Sequence, residues 1–196
     1  MALFIGIMTL FIFAYLLGST PTALIISKRF KSLDIRSVGD GNMGAHNTFH
    51  EIGPRFGVLV AIVDFFKGVI PVFIAHVLGF GLAWQMTAGI LAILGHDFPV
   101  FAKFQGGQGT ATSLGTMLVL FTLPTIIGLI SCGIIFLIVK NFNVSLAIGG
   151  AIIALAIGIS RQWILLAYAV PVFLFILLKL LIDSPRRKAI EMTKIK

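Results

Sequence analysis

The sequence predicts an all-α polytopic membrane protein: a single helix bundle of about seven helices, some of them short or only partly spanning. Of its 196 residues, 58% are hydrophobic and 11% are charged, and the mean hydropathy is +1.07. Soluble domains contain about 45–50% apolar residues. Since a spanning helix needs about 20 mostly apolar residues, the chain holds roughly five to seven of them and leaves no room for a separate soluble domain.

Six apolar segments follow one another along the chain, and each predicts a membrane helix. In order they are about Ala2–Ile26, Gly57–Leu82, Trp84–Phe101, Ala111–Val139, Val144–Ile159 and Trp163–Ile182. The fifth segment has only 16 residues. Its helix would rise about 24 Å against a hydrocarbon core of about 30 Å, so we expect it to span only part of the bilayer.

The net charge of +8 fits a membrane topology better than nucleic-acid binding, because the basic residues lie in loops and at the C-terminus. One basic stretch runs from Lys28 to Arg55 and the other begins at Pro185. The positive-inside rule places both in the cytoplasm. We therefore predict a transmembrane bundle over 1–183 with five full crossings plus shorter half-helices, and a basic cytoplasmic tail over 184–196.

A glycine-rich loop between residues 95 and 115 runs directly into an apolar segment. Glycines let the backbone curl closely around an anion, and the first turn of the next helix offers unpaired N–H groups. The pattern predicts a phosphate-binding loop at the membrane surface. Its candidate ligands are Gln105, Gly106, Gly107, Gln108, Gly109 and Thr110.

The first polar loop carries glycines at 39, 41 and 44, a spacing that superficially matches G-x-G-x-x-G. A dinucleotide-binding fold would need a strand before this loop, and an apolar helix precedes it instead. Two interpretations stay open at this point. Either the backbone approaches an anion here, or the loop is rich in turns and caps a short helix from about Met43.

Three polar side chains interrupt the apolar segments and are candidates for chemistry. Asp64 and Lys67 are three residues apart on one helical face, which predicts either a structural ion pair or a Lys67 facing a polar cleft. His96 precedes the glycine-rich loop and either pins it by hydrogen bonds or acts as a general base. His46 and His50 complete no metal-binding pattern, and the single Cys132 excludes an intramolecular disulfide and a metal site built from thiols. No metal is expected.

These motifs together resemble the bacterial acyl-phosphate:glycerol-3-phosphate acyltransferases, PlsY. The resemblance covers about residues 10 to 115 and is mostly topological beyond that. It is carried by the following groups: Gly18-Ser19; Asp34-Ile35-Arg36; Val38-Gly39, Gly41-Asn42, Gly44-Ala45 and Asn47; Asp64 with Lys67-Gly68; Gly95-His96 with Phe98-Pro99-Val100-Phe101; and Gly106-Gly107, Gly109 and Ala111-Thr112.

The resemblance implies a multi-pass enzyme of the bacterial inner membrane whose active face and C-terminus are cytoplasmic. Such an enzyme moves a fatty acyl group from acyl phosphate to the 1-hydroxyl of sn-glycerol 3-phosphate, giving lysophosphatidic acid and phosphate, the first step of phospholipid synthesis. Its expected partners are these two substrates and membrane lipids, with no nucleic acid and no cofactor.

The resemblance also implies roles for individual residues. The residues from Gln105 to Thr110 are expected to hold one phosphate. The other substrate is expected to be placed by the first loop and two cationic side chains: Arg36, Gly39, Gly41, Asn42, Gly44, Asn47 and Lys67. His96 or Asp40 is the candidate acceptor of the hydroxyl proton, and the substrate's own phosphate is a third.

Several residues depart from the family pattern and keep an alternative open. Lysines are usual at Gln105 and Gln108, a serine at Asp40, a threonine at His46 and an arginine at His50. The usual Arg-Tyr-x-Ser appears as Phe-Asn-Val-Ser over 142–145, and the late His-x-x-Asn is not recognisable. The alternative is a diverged non-catalytic or regulatory membrane paralogue that binds a phosphorylated lipid precursor. A small-anion transporter is a third hypothesis, although no paired halves appear.

Overall fold

The computed structural model describes residues 1–183 and Ile190, except for the side chains of Ala2, Phe142 and Asn143. Apart from Ile190, the predicted tail lies outside the described residues. The part of the tail where the family has its late His-x-x-Asn motif lies outside them as well. Over the described ranges the chain is helical, without strands, which confirms the all-α membrane class.

Nine α-helices and two short 3₁₀-helices account for the regular structure of residues 1–183. The α-helices are α1 Ala2–Gly18, α2 Thr22–Lys31, α3 Ala45–Glu51, α4 Pro54–Val77, α5 Leu82–Asp97, α6 Thr110–Leu120, α7 Thr122–Val139, α8 Phe142–Ile159 and α9 Trp163–Ile182. The 3₁₀-helices are Ile35–Ser37 and Val100–Ala102.

The helix count exceeds the predicted seven because two apolar segments are broken and the first polar loop contains a helix of its own. The first apolar segment breaks between α1 and α2, where Pro21 precedes the first helical residue of α2 and has no N–H with which to continue a helix. The fourth breaks at Phe121, the N-cap residue of α7, whose backbone (φ −148°, ψ 72°) is not helical. The short helix expected from about Met43 is α3, which confirms that prediction.

Four helical stretches among the described residues are long and apolar enough to cross a membrane. They are Leu3–Lys31, Pro54–Val77, Thr122–Val139 and Trp163–Ile182, while Thr110–Leu120 and Val144–Ile159 are shorter apolar helices. The helix of the fifth segment, α8, has 18 residues and is therefore longer than the predicted segment. That it spans only part of the bilayer stays a prediction. The number of full crossings and the side of the membrane that each loop faces stay predictions.

The chain forms two compact units, one of residues 1–116 with the chain from 176 onward, and one of residues 117–175. In the second unit α7 and α8 pack against each other. A Cβ added at Gly128 would run into the side chain of Ile153, and one added at Gly149 would come within 2.8 Å of the Cβ of Cys132. Cys132 is thus a packing residue of this helix pair.

In the first unit, glycines allow helix backbones to approach closely around α5. A Cβ added at Gly18 of α1 would collide with the carbonyl of Ala92, and one added at Gly95 would collide with the carbonyl of Tyr15. Small residues allow such approaches wherever membrane helices pack tightly. The C-terminal end of α5, where His96 and Asp97 lie, is therefore held rigidly against α1.

The first polar loop rests on a hydrophobic cluster that includes a residue from the second loop. The buried members are Ala23, Leu24, Ile26, Ile35, Met43, Ile52, Val60 and Ala102. Since Ala102 follows α5 and Ile35 follows α2, this cluster brings the two predicted substrate loops to one end of the first unit.

Gly68→Ala is expected to destabilise the protein, because a Cβ on this α4 residue would collide with the backbone carbonyl of Thr112 and lie 2.9 Å from the N of Thr116. Backbone atoms cannot rotate away, and overpacking of this kind costs about 1–3 kcal/mol. The measurement is thermal unfolding in detergent. Gly133→Ala is the matched control, since a Cβ there meets nothing within 4 Å. Equal melting temperatures for the two variants would contradict the predicted close approach.

Candidate active site

The first polar loop is organised around the carboxamide of Asn47, which is 3% exposed in α3. Its nitrogen donates to the carbonyls of Ile35, Val38 and Asn42, each at 3.0 Å. Its oxygen accepts from the N–H of Asp40 at 3.2 Å. Asn47 was predicted to bind substrate, and the structure engages both ends of its amide in shaping the loop. Direct contact with substrate stays a prediction.

Two glycines and an aspartate set the path of this loop. Gly39 and Gly41 adopt φ of +60° and +69°, a region that side chains disfavour. A side chain at Gly39 would also collide with the oxygen of Asn47. The half-buried carboxylate of Asp40 accepts from the N–H of Asn42 at 2.9 Å, which closes a local turn. The interpretation of the loop as rich in turns and capping α3 is confirmed, with Gly44 as the N-cap residue, whereas the approach of an anion to its backbone stays a prediction.

Arg36 links the first loop to the second. Its guanidinium pairs with Asp34 at 2.7 Å and donates to the carbonyl of Ala102 at 3.1 Å. The hydrogen bonds from Arg36 hold the pKa of the Asp34 carboxyl below its usual range, and Asp34 raises the pKa of Arg36 in turn. The predicted role of Arg36 in binding substrate is untested by this geometry, which shows it joining the loops.

The glycine loop curls over the end of α5. The N–H of Gly107 donates to the carbonyl of His96 at 3.2 Å. A Cβ on Gly106 would collide with the same carbonyl, and a Cβ on Gly107 would collide with Nε2 of the imidazole. Gly109 has φ +65° and leads into α6 at Thr110. The three glycines are buried, whereas Gln105 is exposed and Gln108 half-buried.

His96 connects the glycine loop to the buried ion pair of α4. Its side chain is 7% exposed, with Nε2 against Gly107 and Nδ1 3.7 Å from Oδ1 of Asp64. Lys67 donates to the same Asp64 oxygen at 2.6 Å and to the carbonyl of Thr20 at 2.6 Å. The predicted ion pair of Asp64 with Lys67 is confirmed. Lys67 is only 3% exposed, so its proposed contact with substrate stays a prediction.

The start of α6 is tied to the same ion-pair helix. Thr112 Oγ1 donates to the backbone carbonyl of Asp64 at 2.9 Å. Around the two loops, three buried residues carry side-chain polar atoms with no hydrogen-bond partner among the described residues: Asn42 Oδ1, Ser113 Oγ, and both oxygens of Asp97. Buried polar atoms usually have a partner, so each of these calls for an explanation.

One buried pair near the site escaped the sequence analysis. Lys179 in the last turn of α9 pairs with Asp183 at 2.9 Å, and its Nζ lies 5.0 Å from the centre of the Phe98 ring. A lysine and an aspartate four residues apart at the end of an apolar helix form the same kind of signal that singled out Asp64 and Lys67. Among the described residues, no group of three or more His, Cys, Asp or Glu side chains forms a possible metal site.

Comparison with known proteins identifies the family of this chain. Residues 8–191 match the family model described as glycerol-3-phosphate acyltransferase. A glycerol-3-phosphate acyltransferase of Endomicrobium trichonymphae is 38% identical over 164 residues, which cover 81% of each chain.

Two crystal structures of PlsY, an integral membrane glycerol 3-phosphate acyltransferase, are similar throughout. The glycerol 3-phosphate form is 33% identical, covers 92% of this chain and 91% of that one, and gives a TM-score of 0.84. The lysophosphatidic acid form is 32% identical, covers 89% and 87%, and gives 0.79. The chain therefore belongs to the glycerol-3-phosphate acyltransferase family of integral membrane proteins.

Proposed function

We propose that this protein transfers a fatty acyl group from acyl phosphate to the 1-hydroxyl of sn-glycerol 3-phosphate, releasing lysophosphatidic acid and inorganic phosphate. The observation that carries the proposal is the buried glycine loop of Gly106, Gly107 and Gly109 against His96, beside a second glycine loop clasped to it by Arg36. Two such loops suit two phosphate-bearing substrates. The names of the related proteins support the same substrate class.

The chemistry needs alignment more than activation. Acyl phosphate is a mixed anhydride, so the hydroxyl oxygen attacks the carbonyl carbon and the bond from that carbon to the phosphate oxygen breaks. The proton of the hydroxyl passes to an acceptor and finally to phosphate. The enzyme orients the two reactants and stabilises the negative charge that develops on the carbonyl oxygen and the departing phosphate.

We assign one phosphate to the glycine loop. There the buried glycines lead into the first turn of α6, whose N–H groups have no partner within the helix and can bind an anion. The N–H of Gly107 itself is used by the carbonyl of His96 and holds the loop in place. The carboxamides of Gln105 and Gln108 and the hydroxyl of Thr110 are neutral ligands at its rim. Neutral hydrogen bonds are weaker than those from ammonium groups, so affinity for the phosphate depends mainly on the backbone.

We assign the second substrate to the first loop, with Asn42 in direct contact through its unpartnered carboxamide oxygen. Gly39, Gly41, Gly44 and Asn47 form the backbone frame that positions it. Arg36 and Lys67 supply positive charge next to the loops. Arg36 does so while paired with Asp34, and Lys67 while paired with Asp64.

We place the enzyme in the bacterial inner membrane with both loops and the C-terminus on the cytoplasmic side. The support is the cluster of basic residues from Lys28 to Arg55, which is typical of cytoplasmic loops. Membrane lipids surround the apolar helices in this arrangement.

Purified protein in detergent, given palmitoyl phosphate and glycerol 3-phosphate, is expected to release phosphate and form a lysolipid at equal rates. The reason is that one acyl transfer yields one molecule of each product. The measurement combines a phosphate assay with mass spectrometry of the lipid, and membranes from cells with an empty vector are the control. Binding of both substrates without turnover above that control would contradict the enzymatic function and favour the non-catalytic paralogue.

Substitution of His96 and Asp40 separates the two candidate proton acceptors among the side chains. His96 lies against the glycine loop, so we expect His96→Gln to lower kcat by about a hundredfold or more, the range for loss of a general base. Asp40→Asn is expected to change kcat by less than about tenfold, because this carboxylate serves a local turn. Steady-state kinetics with melting temperatures as a folding control provide the measurement. The reverse order of effects would assign the proton to Asp40, and normal kcat in both would assign it to the substrate's phosphate.

A further inference from the structure

A carboxyl group lies buried directly beneath the glycine loop, where an anion is proposed to bind. Asp97 is the last residue of α5 and is 0% exposed, and neither of its side-chain oxygens has a hydrogen-bond partner among the described residues. A Cβ on Gly109 would lie 2.8 Å from its Oδ1, so the carboxyl contacts the backbone of the loop itself. As a carboxylate, it would repel a phosphate bound there.

In the part of the chain that the structure describes, the charged groups that face Asp97 from other elements come from two helices. Lys179 and Asp183 act on it from the end of α9, and Asp64 acts on it from α4. Lys179 is 3% exposed, and its Nζ lies 5.0 Å from the ring centre of Phe98, the residue that follows Asp97. His96 is the neighbouring titratable group on α5 itself.

Among the described residues, this buried cluster contains three carboxyl groups but only two ammonium groups. Asp64 pairs with Lys67 at 2.6 Å, and Asp183 pairs with Lys179 at 2.9 Å. Asp97 is the third carboxyl, and within residues 1–183 it has no ammonium of its own. An unpaired charge in a dry interior is far more costly than a neutral group, so a carboxyl in this position holds a proton instead.

We propose that Asp97 is an affinity-determining residue of the glycine loop, which accepts a phosphate only while this carboxyl carries its proton. Ionisation puts a negative charge against Gly109 and expels the anion. The proposal rests on the proposed function only in taking the glycine loop as a phosphate site.

Lys179 and Asp183 set the pH at which Asp97 ionises, in opposite directions. Removing the ammonium with Lys179→Met leaves two carboxyl groups in competition, so Asp97 ionises at higher pH. Removing the carboxylate with Asp183→Asn frees Lys179 to face Asp97, which then ionises at lower pH. A purely structural ion pair would show no such opposed shifts.

Calorimetric titration of the full-length protein in detergent with inorganic phosphate, and separately with palmitoyl phosphate, tests the proposal across the pH range in which the protein stays folded. The quantity compared is the affinity of Asp97→Asn divided by that of the wild type, because this ratio cancels the titration of the ligand itself. We expect the ratio to be near one at low pH and to rise by about tenfold or more at high pH.

Introduced into the Lys179→Met and Asp183→Asn backgrounds, Asp97→Asn should give the same rise at higher and lower pH respectively. Lys31→Met, an exposed lysine at the end of α2, is the matched control and should leave the profile unchanged.

A ratio that stays constant with pH would overturn the proposal, and so would a rise whose position ignores both α9 variants. If Asp97→Asn fails to fold, the pH profiles of Lys179→Met and Asp183→Asn against the wild type decide alone, since only the proposal shifts them apart. The readouts are independent of catalysis. Phosphate binding with the expected pH dependence but without turnover would defeat the proposed function and leave this inference standing, whereas turnover with a flat ratio would do the opposite.

Discussion

The close approach of the glycine loop to the end of α5 is the constraint on which the rest of the site depends. Gly107 donates its N–H to the carbonyl of His96, and neither Gly106 nor Gly107 leaves room for a side chain there. The loop can follow this path only because α5 is itself held against α1 at Gly18 and Gly95. Backbone contact between helices and backbone contact within the site are thus two consequences of the same use of glycine.

The buried ion pair of Asp64 and Lys67 extends this constraint to the other elements. Lys67 reaches the carbonyl of Thr20 between α1 and α2, and the backbone of Asp64 receives the hydroxyl of Thr112 at the start of α6. Such buried pairs contribute little net stability but are costly to break. Here the pair joins the chain before the first loop to the chain after the second, which fixes the two loops relative to each other.

Much of this arrangement is predictable from sequence because its signals are local. Glycine spacing identified both loops, and charges inside apolar segments identified Asp64 and Lys67. The break at Phe121 was missed because the apolar run continues through it, although Pro124 in the first turn of α7 is a helix-start signal. The role of Asn47 was also missed, since its hydrogen bonds run to three backbone carbonyls that only the folded loop brings together. Asp97 and Lys179 lie 82 residues apart, and no pattern in the chain connects them. Their relation depends entirely on tertiary packing.

In the proposed function, backbone N–H groups of the glycine loop and of the first turn of α6 bind the phosphate of the acyl donor. Titration of palmitoyl phosphate into Gly107→Ala tests it most directly, because the new Cβ would collide with Nε2 of His96 and displace the loop. With Gly133→Ala as control, we predict a loss of affinity for Gly107→Ala of up to about a hundredfold, the equivalent of the 1–3 kcal/mol that overpacking costs. Wild-type affinity in a folded Gly107→Ala protein would contradict the account.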